Sequence, residues 1–306
     1  MMTSRPDQIA VMTGGTAGLG AHALARIASA SGRVIVGARD MAWRGPIGTE
    51  AVPLDLSSLA SVRTFASEVK RQLGGKQIDM LLLNGAIMPS AKIPKSADGF
   101  ETTFAVNHLA HYLLARLLLP SMAPGSRLVI TTSDTHDPAI TRLAPTMLEP
   151  QMLAYPKANG ATDFRAYPAS KLCNLLTARS IVALDDVKKR SIHVIAYNPG
   201  LTIGTSLSRS LPTWTQRAMA SLPVHGLLRL LSNFRSQYYP GTPERAGEIL
   251  AQLALGGISM PPDRLYASLV RGQLTFPDPS ELARSIEARD RLWRESAAMV
   301  GLAATM

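Results

Sequence analysis

A glycine-rich loop follows the first apolar run of the chain. The run covers residues 9–12, and glycines then stand at Gly14, Gly18 and Gly20. An apolar strand that leads through such a turn into a helix brings unpaired backbone N–H groups and the positive end of a helix dipole together, which suits a pyrophosphate. Gly14 would serve the turn, Gly18 the close approach and Gly20 the helix packing. The spacing differs from the commonest fingerprint, so the loop alone leaves open a plain strand-to-helix connection.

Short apolar runs alternate with longer helical patterns over the first two thirds of the chain. We predict strands at residues 9–13, 33–37, 51–54, 78–83, 128–132 and 192–197, and helices at residues 19–30, 59–73, 103–119 and 169–184. Strands that are apolar almost throughout are covered on both faces. The alternation therefore predicts an α/β fold, a doubly wound parallel sheet of the Rossmann type, in a single domain that spans residues 1–306.

Later segments add further elements and break the rhythm. Thr242, followed by a proline and an acidic residue, looks like the cap of a helix that runs to about residue 255, and residues 264–270 look like a last strand. The connection at residues 40–49 is too short and too rich in glycine and proline for a crossover helix. A long insertion precedes Tyr167, and a segment at residues 201–240 is rich in proline and leucine. Long irregular segments of this kind are typical of lids or binding loops.

Charge and cysteine content limit the partners. The net charge is +10, but the basic residues are scattered, so we expect a basic surface that favours an anionic cofactor and no nucleic-acid site. Cys173 is the single cysteine, which excludes an intrachain disulfide and a cysteine-based zinc site. His108 and His111 are the nearest histidine pair, and without a third ligand such a pair is typically structural. We predict no metal site.

The hydropathy pattern favours a cytoplasmic protein. Little chain precedes the first strand, so we expect no signal peptide, and the longest apolar runs are interrupted by Arg116 and Arg229 well short of a membrane-spanning length. An amphipathic membrane contact at residues 227–235 is an alternative that we do not favour.

A tyrosine and a lysine stand four positions apart at Tyr167 and Lys171, a spacing that puts both on one face of a helix. A free phenol has a pKa near ~10, so a tyrosine works as an acid or base at neutral pH only where positive charge stabilises its phenolate. Lys171 and the positive end of the helix dipole could both lower the pKa of Tyr167. Because Pro168 is tolerated only in a first turn, we expect this helix to begin close to Tyr167.

Several motifs occur in one order and together resemble the short-chain dehydrogenase/reductase family over about residues 8–200. They are Thr13-Gly14-x-x-x-Gly18-x-Gly20, Asp55-Leu56, Leu83-Asn84-Gly85-Ala86, Asn107 after Val106, Ser133 after a strand, Tyr167-x-x-x-Lys171 and Asn198-Pro199-Gly200. The Asn84 motif is a variant of the family's Asn-Asn-Ala-Gly.

The resemblance implies a role for each of these residues. Ser133 would hydrogen-bond the substrate oxygen, Tyr167 would exchange a proton with it, Lys171 would hold the cofactor ribose, and Asn107 would place a water in the proton relay. The implied cofactor contacts are Gly14, Thr16, Gly18, Leu19, Gly20, Arg39, Asp55, Leu56, Asn84, Gly85, Tyr167, Lys171, Pro199, Gly200 and Thr202. A purely structural role stays open for Ser133 and Asn107, and a surface position for Lys171.

The cofactor prediction depends on the residues after the second strand. An acidic residue there would bind the adenosine ribose, whereas Arg39 places a guanidinium where a 2′-phosphate would lie. We therefore expect NADP(H). Arg44 is a second phosphate contact or a plain surface arginine, and Asp40 gives the opposite indication because it could face the ribose.

Within the family, residues 104–114 and 167–177 look most like the retinol dehydrogenase and light-dependent protochlorophyllide reductase branches, which act on large apolar molecules. The first hypothesis is thus interconversion of a carbonyl and an alcohol on a bulky hydrophobic substrate, with residues 201–240 as a lid. Reduction of a conjugated C=C bond is the second, and a non-catalytic NADP(H)-binding protein is the third. Many relatives associate through the two helices that carry Asn107 and Tyr167, so a homo-oligomer is one of several assembly states left open.

Overall fold

Eight strands form one sheet in the part of the chain that the computed structural model describes, which is residues 5–90, 92–155, 163–203 and 222–304. The strands are β1 (Arg5–Thr13), β2 (Ser31–Ala38), β3 (Thr49–Pro53), β4 (Ile78–Leu83), β5 (Met122–Thr131), β6 (His193–Asn198), β7 (Tyr266–Val270) and β8 (Gln273–Thr275). Their order is β3-β2-β1-β4-β5-β6-β7-β8. Neighbours from β3 to β7 are parallel, and β8, which the sequence did not predict, is antiparallel at the edge.

Helices fill most of the connections. They are α1 (Gly18–Ala30), α2 (Leu59–Leu73), α3 (Thr102–Phe104), α4 (Ala110–Leu118), α5 (Pro150–Ala154), α6 (Ala166–Ala183), α7 (Asp185–Lys189), α8 (Leu222–Leu231), α9 (Pro243–Leu255), α10 (Glu281–Arg284) and α11 (Ile286–Met299). Helix α9 begins as expected, because the Thr242 side chain accepts a hydrogen bond from the Arg245 N–H. Helix α6 begins at Ala166, directly before Tyr167, as Pro168 predicts.

Two apolar cores cover the two faces of the sheet. Strand β4 shows the division, since Leu81 and Leu83 belong to the core that α2, α4 and α6 cover, while Met80 and Leu82 belong to the core that α1 and α9 cover. Successive side chains of a strand point to opposite faces, so a strand buried on both sides is apolar throughout. The predicted doubly wound parallel sheet is confirmed.

The connection between β2 and β3 has turns and no helix, as its glycines and proline predict. It returns directly along the sheet, where the Val34 N–H donates to the Gly48 carbonyl. The short return leaves the end of β2, with Arg39 just beyond it, at the edge of the cleft described below.

The helix predicted at residues 103–119 is not continuous, which corrects the sequence prediction. A π-helical turn at Ala105–Leu109 separates α3 from α4, and the Ala110 N–H bonds to the Ala105 carbonyl, five residues back. The turn around Asn107 therefore contains one residue more than an α-helical turn. The Asn107 side chain bonds to the backbone of Ile87, outside the helix.

The insertion before α6 and the C-terminal helices pack together. Glu149 of the insertion pairs with Arg291 of α11 at 2.5 Å. Helix α11 also packs on the helices that carry Asn107 and Tyr167, where the Tyr112 hydroxyl donates to the Trp293 carbonyl and His108 bonds to Ser296. The sequence did not predict α10 or α11.

Most of the predicted lid, at residues 204–221, lies outside the described residues. The rest of that segment includes α8, whose Leu227 and Leu230 side chains are more than half exposed, and Phe234, which is 83% exposed. Within the described ranges, no helix has both the length and the apolar character needed to cross a membrane. The single-domain organisation remains a prediction.

Candidate active site

A cleft of about 520 Å³ opens at the carboxyl ends of the strands, where the order of the sheet reverses between β1 and β4. This crevice is where open α/β sheets bind their ligands, and its volume lies in the usual range of ligand sites. The structure brings together there Gly14, Thr16, Gly18, Leu19, Gly20, Arg39, Asp55, Leu56, Asn84, Gly85, Ser133, Tyr167, Lys171, Pro199, Gly200 and Thr202. Among the site residues named from sequence, Asn107 alone does not line the cleft.

The glycine loop needs its glycines for space. Gly14 has a φ of +65°, and a Cβ on it would come within 2.7 Å of the backbone of Gly85. A Cβ on Gly20 would lie 1.9 Å from the Gly14 carbonyl oxygen. Helix α1 follows at Gly18 without a side-chain cap, so N–H groups of its first turn face the cleft without such a partner.

The floor of the cleft joins three strand ends. The Thr13 hydroxyl oxygen accepts hydrogen bonds from the backbone N–H groups of Asn84 and Gly85, at 3.0 and 3.1 Å. The Asn84 amide donates to the Gly14 carbonyl, and its oxygen accepts from the Thr131 hydroxyl at 2.9 Å. The loop after β1 is therefore held against the ends of β4 and β5.

The far end of the cleft carries one arginine. Arg39 lines the cleft, whereas Arg44 is not among its lining residues and instead donates to the carbonyls of Met41 and Trp43. The Asp40 carboxylate accepts the Ala42 N–H at 2.8 Å. Of the three charged side chains weighed from sequence, the structure therefore leaves Arg39 at the cleft and ties the other two to their own loop.

Ser133, Tyr167 and Lys171 meet at the opposite end. Tyr167, at the start of α6, lies beside Ser133, which follows β5. The ammonium of Lys171 lies over the Tyr167 ring, 5.5 Å from its centre, and donates to the Thr131 carbonyl at 3.3 Å. Lys171 is buried, not a surface charge.

The pKa of Tyr167 is raised, which corrects the expectation that Lys171 lowers it. Burial is the main cause, and the nearby Asp134 charge raises this pKa further, while the interaction with Ser133 lowers it. Burial also lowers the pKa of Lys171 to about 7, so the Lys171 side chain is charged only in part near neutral pH. The spacing of Tyr167 and Lys171 in the sequence was sufficient to predict that the two side chains lie together. It does not show how strongly the fold removes them from water.

Asn107 lies behind the cleft and hydrogen-bonds two of the elements next to it. Its amide oxygen accepts the Ile87 N–H at 2.8 Å, and its amide nitrogen donates to the Ile87 carbonyl and to the Ser170 hydroxyl. Ser170 in turn donates to the Tyr167 carbonyl at 2.7 Å. Asn107 is thus joined to the helix turn that bears Tyr167.

Comparison with known proteins places the chain in a family. The model of the short chain dehydrogenases matches residues 8–142. Protochlorophyllide reductase B of Oryza sativa subsp. japonica is 30% identical over 328 residues, which cover 96% of this chain and 77% of that protein. The chain belongs to the short-chain dehydrogenase/reductase family.

Two further comparisons agree with this assignment. Polyprenol dehydrogenase of Mus musculus is 29% identical over 68% of this chain and 64% of its own length. The crystal structure of 3-ketoacyl-(acyl-carrier-protein) reductase from Brucella melitensis shares the fold, with a TM-score of 0.58 and 18% identity over 87% of this chain and 97% of that one. As a short-chain dehydrogenase/reductase, the protein is an oxidoreductase whose fold binds a nicotinamide cofactor.

The residues of this cleft fit such a cofactor. Gly14 and Gly20 let the loop pack against neighbouring backbone where a side chain would clash, and the first turn of α1 offers amides to a pyrophosphate. A cation stands at one end and a Ser-Tyr-Lys group at the other, so a long ligand with an anionic end matches the cleft. The described residues contain no cluster of three or more His, Cys, Asp or Glu placed to bind a metal.

This dehydrogenase/reductase site also contains residues that the sequence analysis missed. Asp134 lies beside Ser133, and His111 bonds to both Thr13 and Asn107. Further lining comes from Ala17, Gly37, Leu54, Ser57, Ala86, Ile87, Met88, Ser90, Lys92, Ile93, Thr102, Thr103, Val106, Thr131 and Thr132. An acid directly after the motif serine was a visible signal for Asp134, whereas the loop at residues 86–93 carries no pattern that predicts its place.

Proposed function

We propose that this protein is an NADP(H)-dependent oxidoreductase that interconverts a carbonyl and an alcohol on a bulky hydrophobic substrate, with Tyr167 as general acid and base. The observation that carries the proposal is the placement of Ser133, Tyr167 and Lys171 at one end of the cleft, with the Lys171 ammonium 5.5 Å from the centre of the Tyr167 ring. Buried Cys173 suits a reducing compartment, which supports a cytoplasmic location.

The chemistry needs two hydrogen-bond donors on one oxygen. When bound, the nicotinamide supplies or accepts the hydride at the carbon atom. Tyr167 gives its phenolic proton to the carbonyl oxygen in reduction and recovers it in oxidation, while Ser133 donates a hydrogen bond to the same oxygen. Tyr167 donates from its protonated form, and its raised pKa makes this donation less favourable unless positive charge offsets the effect of burial.

Lys171 supplies charge at this end. Its ammonium over the Tyr167 ring stabilises the phenolate that proton transfer leaves behind. Burial lowers the pKa of Lys171 to about 7, and the negative charge of a phosphate-bearing cofactor would favour the ammonium form that Tyr167 needs.

Arg39 supports NADP(H) as the cofactor. It is the arginine at the cleft after β2, and a guanidinium forms charge-assisted hydrogen bonds to a phosphate that NAD(H) lacks. Asp40 does not oppose this preference, because it does not line the cleft and its Oδ1 accepts the Ala42 N–H of its own loop.

A bulky apolar substrate is supported by two observations. The described part of the segment at residues 201–240 exposes Leu227, Leu230 and Phe234, which do not line the cleft here and which closure of the proposed lid would bury against such a molecule. One relative is a polyprenol dehydrogenase, whose name states a large apolar alcohol. A relative named protochlorophyllide reductase favours reduction of a conjugated C=C bond as the second candidate function.

The test is a screen for NADPH oxidation with aromatic, steroid-like and long-chain ketones and aldehydes, and with matching α,β-unsaturated ketones. We expect Tyr167→Phe to lose at least about a hundredfold in kcat/KM. Tyr197→Phe is the control, because it also removes a tyrosine hydroxyl, but one that is buried in the other core and donates to the Ala246 carbonyl. Near-normal turnover by Tyr167→Phe would contradict the assignment.

Ser133→Ala separates the two reactions. Carbonyl reduction should fall by about a hundredfold in this variant, because the oxygen loses one donor, whereas reduction of a C=C bond should change far less. Tight NADPH binding with no oxidation across the whole panel would favour a non-catalytic NADP(H)-binding protein.

A further inference from the structure

We infer that His111 is a positioning residue for this reaction, one that ties the glycine loop to the turn of Asn107 and through it to Tyr167. The inference rests on the proposed function. His111 lies on α4, lines no part of the cleft, and is 2% exposed, so it acts only through the groups that its ring contacts.

One side of the ring holds the glycine loop. His111 Nε2 lies 2.9 Å from the Thr13 hydroxyl oxygen, at the point where β1 enters the loop. That oxygen already accepts the N–H groups of Asn84 and Gly85, so its lone pairs are in use and its proton is free to donate. The Thr13 hydroxyl therefore donates to a bare Nε2.

The other side of the ring holds the π-helical turn. His111 Nδ1 lies 3.0 Å from the Asn107 carbonyl oxygen, which can only accept, so Nδ1 carries the proton. One neutral tautomer thus satisfies both contacts. Burial, with a smaller contribution from Lys171, lowers the pKa of His111 to about 4, so the ring keeps this tautomer over the working pH range.

The hydrogen bonds continue from Asn107 into the catalytic helix. Its side-chain amide donates to the Ser170 hydroxyl at 3.1 Å, and Ser170 donates to the Tyr167 carbonyl at 2.7 Å. Each group has the donor or acceptor that its neighbour needs. A continuous path therefore runs from Thr13 beside the cofactor loop to the backbone of Tyr167, and His111 is the link between its two halves.

His108 provides an internal control for a purely structural effect. It lies three positions earlier on the same broken helix, is equally buried, and bonds to Ser296 of α11. Replacement of either imidazole by a phenyl ring makes the same change in volume and removes buried hydrogen bonding, one bond at His108 and two at His111. His108 bonds to the C-terminal helix, whereas His111 bonds to residues next to the cleft. A loss of activity that exceeds the loss of stability is therefore expected for His111 and not for His108.

The two contacts can be separated by substitution. The nitrogen of an asparagine stands near Nδ1 of a histidine, and the oxygen of a glutamine near Nε2. His111→Asn therefore can keep the bond to Asn107, and His111→Gln can keep the bond to Thr13. His111→Phe keeps neither.

The experiment compares these variants and His108→Phe with the wild type. NADPH titration by protein fluorescence gives the affinity and the number of competent sites, and kcat per competent site is then measured with a carbonyl substrate from the screen. We expect His111→Phe to lose about tenfold in both quantities, His111→Gln to recover NADPH affinity, and His111→Asn to recover kcat. His108→Phe should show a lower Tm with both quantities within about twofold of the wild type.

Equal losses in His108→Phe and His111→Phe, or identical behaviour of the Asn and Gln variants, would overturn the inference. If His111→Phe does not fold, the split between the Asn and Gln variants decides. A wild type that oxidises no NADPH contradicts the proposed function, and the NADPH affinities of the same variants still test the link between His111 and the glycine loop.

Discussion

The hydroxyl of Ser133 donates a hydrogen bond to the carboxylate of Asp134 at 3.4 Å. The Asp134 carboxylate therefore competes with a substrate oxygen for the hydrogen bond from Ser133. The Thr135 hydroxyl, at 3.0 Å, holds the same oxygen from the other side. Burial raises the pKa of Asp134, and a hydrogen bond from Asn198 opposes this shift. A titratable acid therefore stands directly beside the proposed donor pair.

We expect the activity of the wild type to fall as Asp134 ionises. A carboxylate is a stronger acceptor than a neutral acid for the Ser133 proton, and its charge raises the pKa of Tyr167. Asp134→Asn should flatten this part of the pH profile of kcat/KM and raise activity several-fold at neutral pH. Each unit by which the pKa of Tyr167 falls corresponds to about 1.4 kcal/mol in the free energy of its ionisation. Asp137→Asn, on the same turn, is the control. Superimposable profiles for the wild type and Asp134→Asn would contradict the prediction.

The buried lysine makes stability depend on pH in the cofactor-free protein. The pKa of Lys171 is about 7 when folded and near its ordinary 10.5 when unfolded, so between these values the unfolded chain binds more protons. The free energy of unfolding should therefore rise with pH in this window, by up to about 1.4 kcal/mol per unit from this group.

Lys171→Met removes that contribution. The difference in Tm between Lys171→Met and the wild type should be largest near pH 7 and shrink toward pH 9, because the other titrating groups cancel in the comparison. Thermal unfolding by circular dichroism checks this, and a constant difference across the range would show that Lys171 is not discharged on folding.

Acid should destabilise the protein through its buried histidines. Burial lowers the pKa of His108 to about 3 and that of His111 to about 4, from 6.5. Below about pH 6.5 the unfolded chain binds these protons and the folded one does not, so stability falls by up to about 1.4 kcal/mol per unit for each histidine. Urea unfolding of His108→Phe between pH 7 and 5 should show a shallower slope than the wild type. An unchanged slope would place the acid sensitivity elsewhere.

Cofactor choice should follow Arg39. Arg39→Ala removes the cation at the cleft, and the ratio of kcat/KM for NADPH over NADH should fall by roughly tenfold to a hundredfold, the value of a charge-assisted hydrogen bond. Arg44→Ala should leave the ratio within about twofold, because Arg44 bonds to its own loop. A wild-type ratio below one would contradict the NADP(H) assignment itself.

Local patterns were sufficient for the sheet and for most of the cleft. Buried parallel strands are apolar on both faces, so β1, β2, β4 and β6 stand out as runs, and the glycine loop, Arg39, Tyr167 and Lys171 are short motifs at strand or helix ends. Pro168 predicted where α6 begins, because a proline is tolerated in a helix only in its first turn.

Tertiary effects account for what the sequence analysis missed. A π-helical turn adds one residue without changing the apolar pattern, so residues 103–119 looked like one helix. The direction of the Tyr167 pKa depends on burial by distant segments. His111 looked like half of a structural pair with His108, because its partners Thr13 and Asn107 face it only after folding.

Helix α11 occupies the outer side of the helices that carry Asn107 and Tyr167, with Trp293 against Tyr112 and Arg116 and with Arg291 bonded to the insertion. A second copy that approached along this side would meet the chain's own C-terminal helix before it reached either of them. On this side, contacts made within the same polypeptide therefore cover the surface that a partner molecule would have to reach.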